Sequence, residues 1–414
     1  MSIVRRDFLK VVGGVSVVGS LGSYAASIHT ADAATPTFGF ADESVPMNAA
    51  NLCPMPTMVT EAHNEYARQL DLSLSTASRR AVVAFKEEAR GRVAGMLGTS
   101  TDEIAIVRNA SEANGTIVQG MPLDEGDEIV LWDQNHPSNL VAWDVQAART
   151  GATVRRFSVP TNTGSVDEVV DMFVDVVGDN TKVVSFTHIS NITGFRLPLS
   201  EICTAVREKK DDVFIHIDGA QTWGAVDLDL GAIEADSFSG SAHKWFMGPR
   251  EVGILYIRER HIDHIWPNIV SVPWGRTTED VPDGARKFDA MSQRDDAALA
   301  SLNDTALFHE MITPAGIEAQ SKNVADRLRG GLEDLGVAFV SSANPAFTSS
   351  VVIIATPREN ASRLVSNVFD DAGVQCAATG GLRMSPHMYN LSLIHISEPT
   401  RLGMISYAVL CLKK

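Results

Sequence analysis

The chain has 414 residues, enough for two domains or one large one, and its formal net charge of −16 makes nucleic acid and anionic membrane surfaces poor partners. Hydrophobic residues make up 44% and aromatic residues 7% of it, the balance of an ordinary soluble globular protein. Cys53, Cys203, Cys376 and Cys411 lack metal-ligand spacing and are too few for a disulfide framework, so they read as small buried apolar residues.

Residues 1–33 read as a targeting segment outside the fold. Arg5-Arg6-Asp7-Phe8-Leu9-Lys10 precedes an apolar stretch from Val11 to Ala26, and Ala31-Asp32-Ala33 supplies a small-residue cleavage signal. The arginine pair with Phe8-Leu9-Lys10 behind it resembles a twin-arginine export signal, although Val4 stands where Ser or Thr is usual. The apolar run is short and rich in Gly and Ser, which argues against a retained membrane anchor. The expectation is a protein folded in the cytoplasm, exported by the twin-arginine machinery, and periplasmic or otherwise extracytoplasmic, with no stable membrane insertion after cleavage.

An N-terminal segment, 34–60, leads into a large domain expected over 61–285. There the pattern alternates. Ile104–Val107 reads as a strand with a helix opening near Ser111, and Glu128–Trp132 as a strand followed by a helix over Ser138–Arg149. Thr153–Val159 and Lys182–Ser190 read as strands, each followed by a helix, over Val166–Val177 and Leu199–Lys209. Val213–Ile217 and two further strands, near Ser237 and over Val252–Ile257, complete the series. Strands alternating with helices predict an α/β fold with a mostly parallel sheet covered on both faces, whose sites lie at the carboxyl ends of its strands.

Trp266–Arg286, rich in Pro, Trp and Gly, reads as a connector to a smaller α+β domain over 286–390. That domain is expected to hold helices over Asp296–Met311 and Pro314–Leu335, strands at Val337–Ser341 and Ser350–Ala355, a helix over Asn360–Ala372 and two short strands ending at Ser385. Leu391–Lys414 shows no helical period, and Ser392–Arg401 resembles translated sequencing-adapter sequence. The tail 391–414 is therefore expected to be artefactual, and no functional weight falls on it.

The chemistry-bearing residues fall at strand ends. Lys244 sits in Ser241-Ala242-His243-Lys244-Trp245, after one strand and before a turn at Gly248-Pro249. Asp218-Gly219-Ala220-Gln221 ends the strand over Val213–Ile217, Arg108–Asn114 opens a helix after a strand, and His136 follows another strand. Asn191 follows the strand over Lys182–Ser190, and Arg383 lies in Gly381-Leu382-Arg383-Met384-Ser385. A lysine for an imine, a carboxylate for a pyridine nitrogen and a helix N-terminus with a hydroxyl for a phosphate are what pyridoxal phosphate requires. Taken singly, each has a plainer reading: Asp218 as a turn former, His136 as a core histidine, Arg383 as a surface ion pair, Ser111 as a helix cap.

Together, in this order, the motifs resemble the class V aminotransferase fold, a group that includes cysteine desulfurases and isopenicillin-N epimerase. The resemblance spans roughly 45–390 and implies a fold type I pyridoxal-phosphate enzyme acting on a small amino acid or an amino-acid-containing metabolite. It implies that Lys244 binds the cofactor covalently and shuttles the Cα proton, that Asp218 pairs with the pyridine nitrogen, and that His136 stacks on the ring. Gln221 and Asn191 are implied at the ring oxygen, with Asn191 also near substrate. Ser111, Ser241, His243 and the Ala110 amide are implied at the phosphate, and Arg383 at the substrate carboxylate. It further implies a homodimer with shared sites, completed by a partner loop around Trp274-Gly275 or Gln293. Ala110 departs from the hydroxyl residue common at its position.

The bond broken is left open. Desulfuration needs a nucleophilic cysteine on a mobile loop, and Cys376, seven residues before Arg383 in a strand-like run, reads as structural. The endings Arg383–Asn390 and Gln293–Asp296 look closer to the epimerase-like branch. An epimerase-like or aminotransferase-like activity is therefore expected. The alternatives are a cysteine desulfurase or lyase, and a cofactor-binding protein without turnover.

Overall fold

The structure, a computed structural model, describes residues 37–41 and 44–391. The expected leader and the adapter-like run Ser392–Arg401 lie outside these residues. A short strand, β1 (Val45–Pro46), is followed by α1 (Thr57–Leu72) and α2 (Thr76–Met96). The alternating region then runs β2 (Ile104–Val107), α3 (Ala110–Gly120), β3 (Glu128–Trp132), α4 (Pro137–Thr150), β4 (Thr153–Phe157), α5 (Val166–Val176), β5 (Thr181–Thr187), α6 (Leu199–Lys209), β6 (Phe214–Asp218), β7 (Ser237–Ser241) and β8 (Gly253–Ile257).

These strands form one seven-stranded sheet in the order β2-β8-β7-β6-β5-β3-β4. Pairings from β4 to β7 are parallel, while β8 runs antiparallel to both of its neighbours. Strands β6, β7 and β8 are buried at every position, as strands covered by helices on both faces must be. The edge strand β4 instead exposes Arg155 and Arg156, whose charges discourage further pairing. Local chemistry sets the helix starts. The Asn109 side chain caps α3 through the Glu112 amide, Pro137 occupies the first turn of α4, and Ser165 caps α5.

Beyond a connector over 258–295 come α7 (Asp296–Ile312), α8 (Pro314–Glu333), β9 (Val352–Ile354), α9 (Arg358–Ala372), β10 (Val374–Gln375), β11 (Ala377–Ala378) and β12 (Leu382–Met384). A three-stranded antiparallel sheet, β11-β12-β9, and a parallel pair of β1 with β10 form the small domain's core with α8 and α9. No helix among the described residues is long and apolar enough to cross a membrane.

Several expectations are corrected. Helix α7, read from sequence as part of the small domain, packs on α1 and α2, and its Leu299, Leu302 and Ala306 join the core under the large sheet. The N-terminal segment crosses the other way: Val45 and Met47 are buried in the small domain's core. Val337–Ser341 forms no strand, only a single bridge from Phe339 to Ile354. Strand β5 stops at Thr187, because the Thr187 hydroxyl ties the Ile189 carbonyl into a turn. Strand β6 runs one residue further than expected, so Asp218 is its last residue and not the first after it.

Candidate active site

A cavity of about 230 Å³ opens at the carboxyl ends of β3, β5, β6 and β7. It gathers nine of the ten residues singled out from sequence: Ala110, Ser111, His136, Asn191, Asp218, Gln221, Ser241, His243 and Lys244. The tenth, Arg383, approaches from β12 of the small domain. Its guanidinium donates to Asn191 O and to Asn48 Oδ1, both at a long 3.4 Å.

Asp218 is held from two sides. Its Oδ1 accepts from the Ala220 amide at 3.0 Å and its Oδ2 from Asn114 Nδ2 at 2.9 Å. Gly219 follows it because a Cβ there would lie 1.9 Å from the Phe238 ring. Opposite, Ser241 Oγ accepts the Ala110 amide at 2.8 Å. That amide, expected on a phosphate, is thus engaged within the protein, and the Ser241 hydroxyl proton is left to donate outward. The exposed Ser111 side chain and the N-terminus of α3 lie at the same corner of the cavity. His136 caps α4, its Nδ1 accepting from the Ser138 amide at 3.2 Å, while its ring stands exposed at the cavity wall. Gln221 is engaged at both ends of its amide, by Ala50 O at 3.0 Å and Trp245 Nε1 at 2.7 Å, with one N–H to spare.

The turn that carries Lys244 is pinned by its neighbours. His387 Nδ1 accepts the Met388 amide, so its Nε2 donates to Trp245 O at 2.9 Å. His309 Nε2 donates to Phe246 O at 2.9 Å, and its ring stacks on Phe246, which stacks in turn on Trp223. Burial is the main cause that lowers the pKa of the Lys244 amine; Asp218 opposes it and Arg383 adds to it. Burial, and then Lys244, likewise lower His136.

Sequence reasoning missed Asn48, Asn114, Thr187, His216, His309 and His387. The only signal for Asn114 and His216 was a polar residue interrupting an apolar run, which says nothing without the helix-on-sheet packing.

A pH dependence follows. Burial pushes His216 and His309 down to about 4, and His188 and His387 to about 3, so all four are neutral in the fold. An unfolded histidine titrates near 6.5, so the unfolded chain takes up more protons between these values, and stability is lost as pH falls from about 6.5 to about 4. Each histidine contributes a slope of about 1.4 kcal/mol per pH unit in that window. Asp304, raised to about 6 by burial, works the other way and only partly offsets them. Thermal melts across this range are expected to show a falling Tm, and His387→Gln a shallower slope.

The family model described as Aminotransferase class-V matches residues 49–408. Isopenicillin N epimerase of Amycolatopsis lactamdurans is 27% identical over 365 residues, covering 83% of this chain and 90% of that protein. A probable cysteine desulfurase of Pyrococcus abyssi is 27% identical over 366 residues, covering 83% and 88%. Among solved structures, an apo cysteine desulfurase from Thermococcus onnurineus superposes with a TM-score of 0.77 at 23% identity, over 90% of this chain and 96% of that one, a likeness of fold.

Proposed function

The chain belongs to the class V aminotransferase family, and from that premise we propose that it is a pyridoxal-phosphate enzyme acting at Cα of an amino acid or an amino-acid-containing metabolite. The residues fit the cofactor. An amine and a buried carboxylate face one cavity, and a helix N-terminus with two serine hydroxyls stands at its edge. When bound, the cofactor supplies an electron sink for charge developing at Cα.

In this reading Lys244 attaches the cofactor and moves the Cα proton. Asp218 would pair with the ring nitrogen, His136 would stack on the ring, and Gln221 and Asn191 would hold its oxygen. Ser111, Ser241 and His243 hold the phosphate. A homodimer with shared sites is part of the proposal, with a loop around Trp274-Gly275 or Gln293 of a second copy completing the phosphate site. Export rests on the twin-arginine-like leader alone.

The observation that carries the reading is Arg383. It is buried, its Nε has no hydrogen-bond partner, and it forms no ion pair among the described residues. Burial pushes its pKa down to about 10. An unpaired buried guanidinium costs several kcal/mol, on the order of what an incoming carboxylate recovers by pairing with it. A free α-carboxylate fits that place.

An epimerase-like or aminotransferase-like reaction is favoured over desulfuration. The cysteines among the described residues, Cys53, Cys203 and Cys376, are all buried, and burial raises each thiol pKa, that of Cys376 to about 12, so none of these three is a ready thiolate.

The test is purified protein with pyridoxal phosphate and a panel of amino acids, read by cofactor absorbance and by Cα-proton exchange into heavy water. At least one amino acid is expected to shift the spectrum and exchange its proton. Arg383→Lys is expected to raise KM about 10²-fold while leaving the cofactor absorbance intact, because lysine keeps the charge but not the two-pronged geometry. A spectrum that no amino acid perturbs removes the enzyme reading and leaves a cofactor-binding protein without turnover.

A further inference from the structure

Strand β6 places His216 and Asp218 two residues apart, on one face of the sheet. Register sets Ser237 of β7 opposite His216. Helix α3 lowers Asn114 onto the same face. The result is a continuous chain: Ser237 Oγ to His216 Nδ1 at 2.7 Å, His216 Nε2 to Asn114 Oδ1 at 3.0 Å, and Asn114 Nδ2 to Asp218 Oδ2 at 2.9 Å. Asn114, His216 and Ser237 are fully buried, and of the four residues only Asp218 lines the cavity.

The direction of every proton is fixed. A carboxylate only accepts, so Asn114 must turn its NH2 toward Asp218 and its carbonyl toward His216. His216 Nε2 must then carry a proton. Burial keeps the ring neutral, so Nδ1 is bare and takes the Ser237 hydroxyl proton. All three donors point toward Asp218. Bonds aligned head to tail in a low-dielectric interior polarise one another, and the last of them bears on the carboxylate.

We infer that Ser237, His216 and Asn114 are a chain of positioning residues that aims the Asp218 carboxylate into the cavity and sets how strongly it grips the pyridine nitrogen of the cofactor. The inference rests on the cofactor reading above and deepens it. None of the three residues touches the cavity, so their effect is transmitted through Asp218 alone.

The experiment is nitrogen NMR of the full protein reconstituted with ring-15N pyridoxal phosphate, followed across pH without substrate. Asn114→Leu frees one carboxylate oxygen from the donor that aims it. This loss of aim is expected to outweigh the gain in carboxylate basicity, lowering the pH at which the ring nitrogen loses its proton by about one unit and speeding cofactor release about tenfold. Ser237→Ala, which trims only the far end, shifts the nitrogen in the same direction by less. His216→Leu resembles the Asn114 variant, whereas His216→Gln, which still donates and accepts, restores most of the signal. If Asn114→Leu does not fold, the Ser237 and His216 variants decide. Folded variants with a wild-type nitrogen titration and wild-type cofactor release overturn the inference. Failure of the cofactor reading looks different: the wild-type protein would then show no absorbance that depends on Lys244.

Discussion

Lys244→Ala is expected to leave a folded protein that no longer fixes pyridoxal phosphate covalently and whose turnover falls by at least about 10³-fold. The fold survives because the turn is held by groups other than the lysine side chain. Trp245 O, Phe246 O and Trp245 Nε1 bond to His387, His309 and Gln221, and the Cys53 amide donates to His243 O at 2.8 Å. Chemistry is lost because a nucleophilic amine must be neutral, and the cavity favours the neutral form. Burial leads, the Arg383 charge adds to it, and Asp218 opposes them. Lys244→Arg keeps a positive charge on a side chain that never deprotonates, so it is expected to be as inactive as alanine. Borohydride reduction followed by peptide mapping reads the outcome directly. Cofactor fixed on Lys244 in the wild type and on no residue in the alanine variant is the expected result, and fixation on any other lysine would overturn the assignment.

How much of this was visible in the sequence depends on where each residue sits. The strand-then-helix alternation from β2 to β8 is written in local patterns, and sites in such sheets gather at strand ends, so it was legible that His136, Asp218 and Lys244 would meet at one cavity. The supports could not. His387 lies 142 residues and His309 lies 63 residues from the carbonyls they hold, and nothing local marks either. Asn114 and His216 become partners only when α3 packs on β6. Helices α1 and α2 went unread because they bury a narrow stripe, in α2 only Val82, Ala89, Arg90, Val93 and Ala94. Helix α7 misled for the opposite reason. It is buried on nearly every side, so its pattern does not show which domain it joins.

Asp218→Asn is expected to be nearly as damaging to turnover as the loss of Lys244, about 10²–10⁴-fold, while sparing covalent attachment of the cofactor. Size is conserved, so any effect comes from charge and hydrogen-bond polarity. Both carboxylate oxygens accept N–H donors, Ala220 N on one side and Asn114 Nδ2 on the other. An amide can offer its oxygen to only one of them, so either orientation turns an N–H against an N–H in a buried site. That mismatch costs about 1–3 kcal/mol of stability, visible as a lower Tm. The negative charge proposed to pair with the ring nitrogen is lost as well, and with it the support that charge would give to electrons drawn from Cα. Asp218 also opposes the lowering of the Lys244 pKa, so its removal is expected to drop that pKa further and leave the amine neutral more often. The lysine should therefore still bind the cofactor while catalysis fails: kcat falls, KM changes little because Arg383 is untouched, and cofactor absorbance remains. A variant that keeps wild-type kcat would show that the carboxylate at the end of β6 serves the strand and not the cofactor.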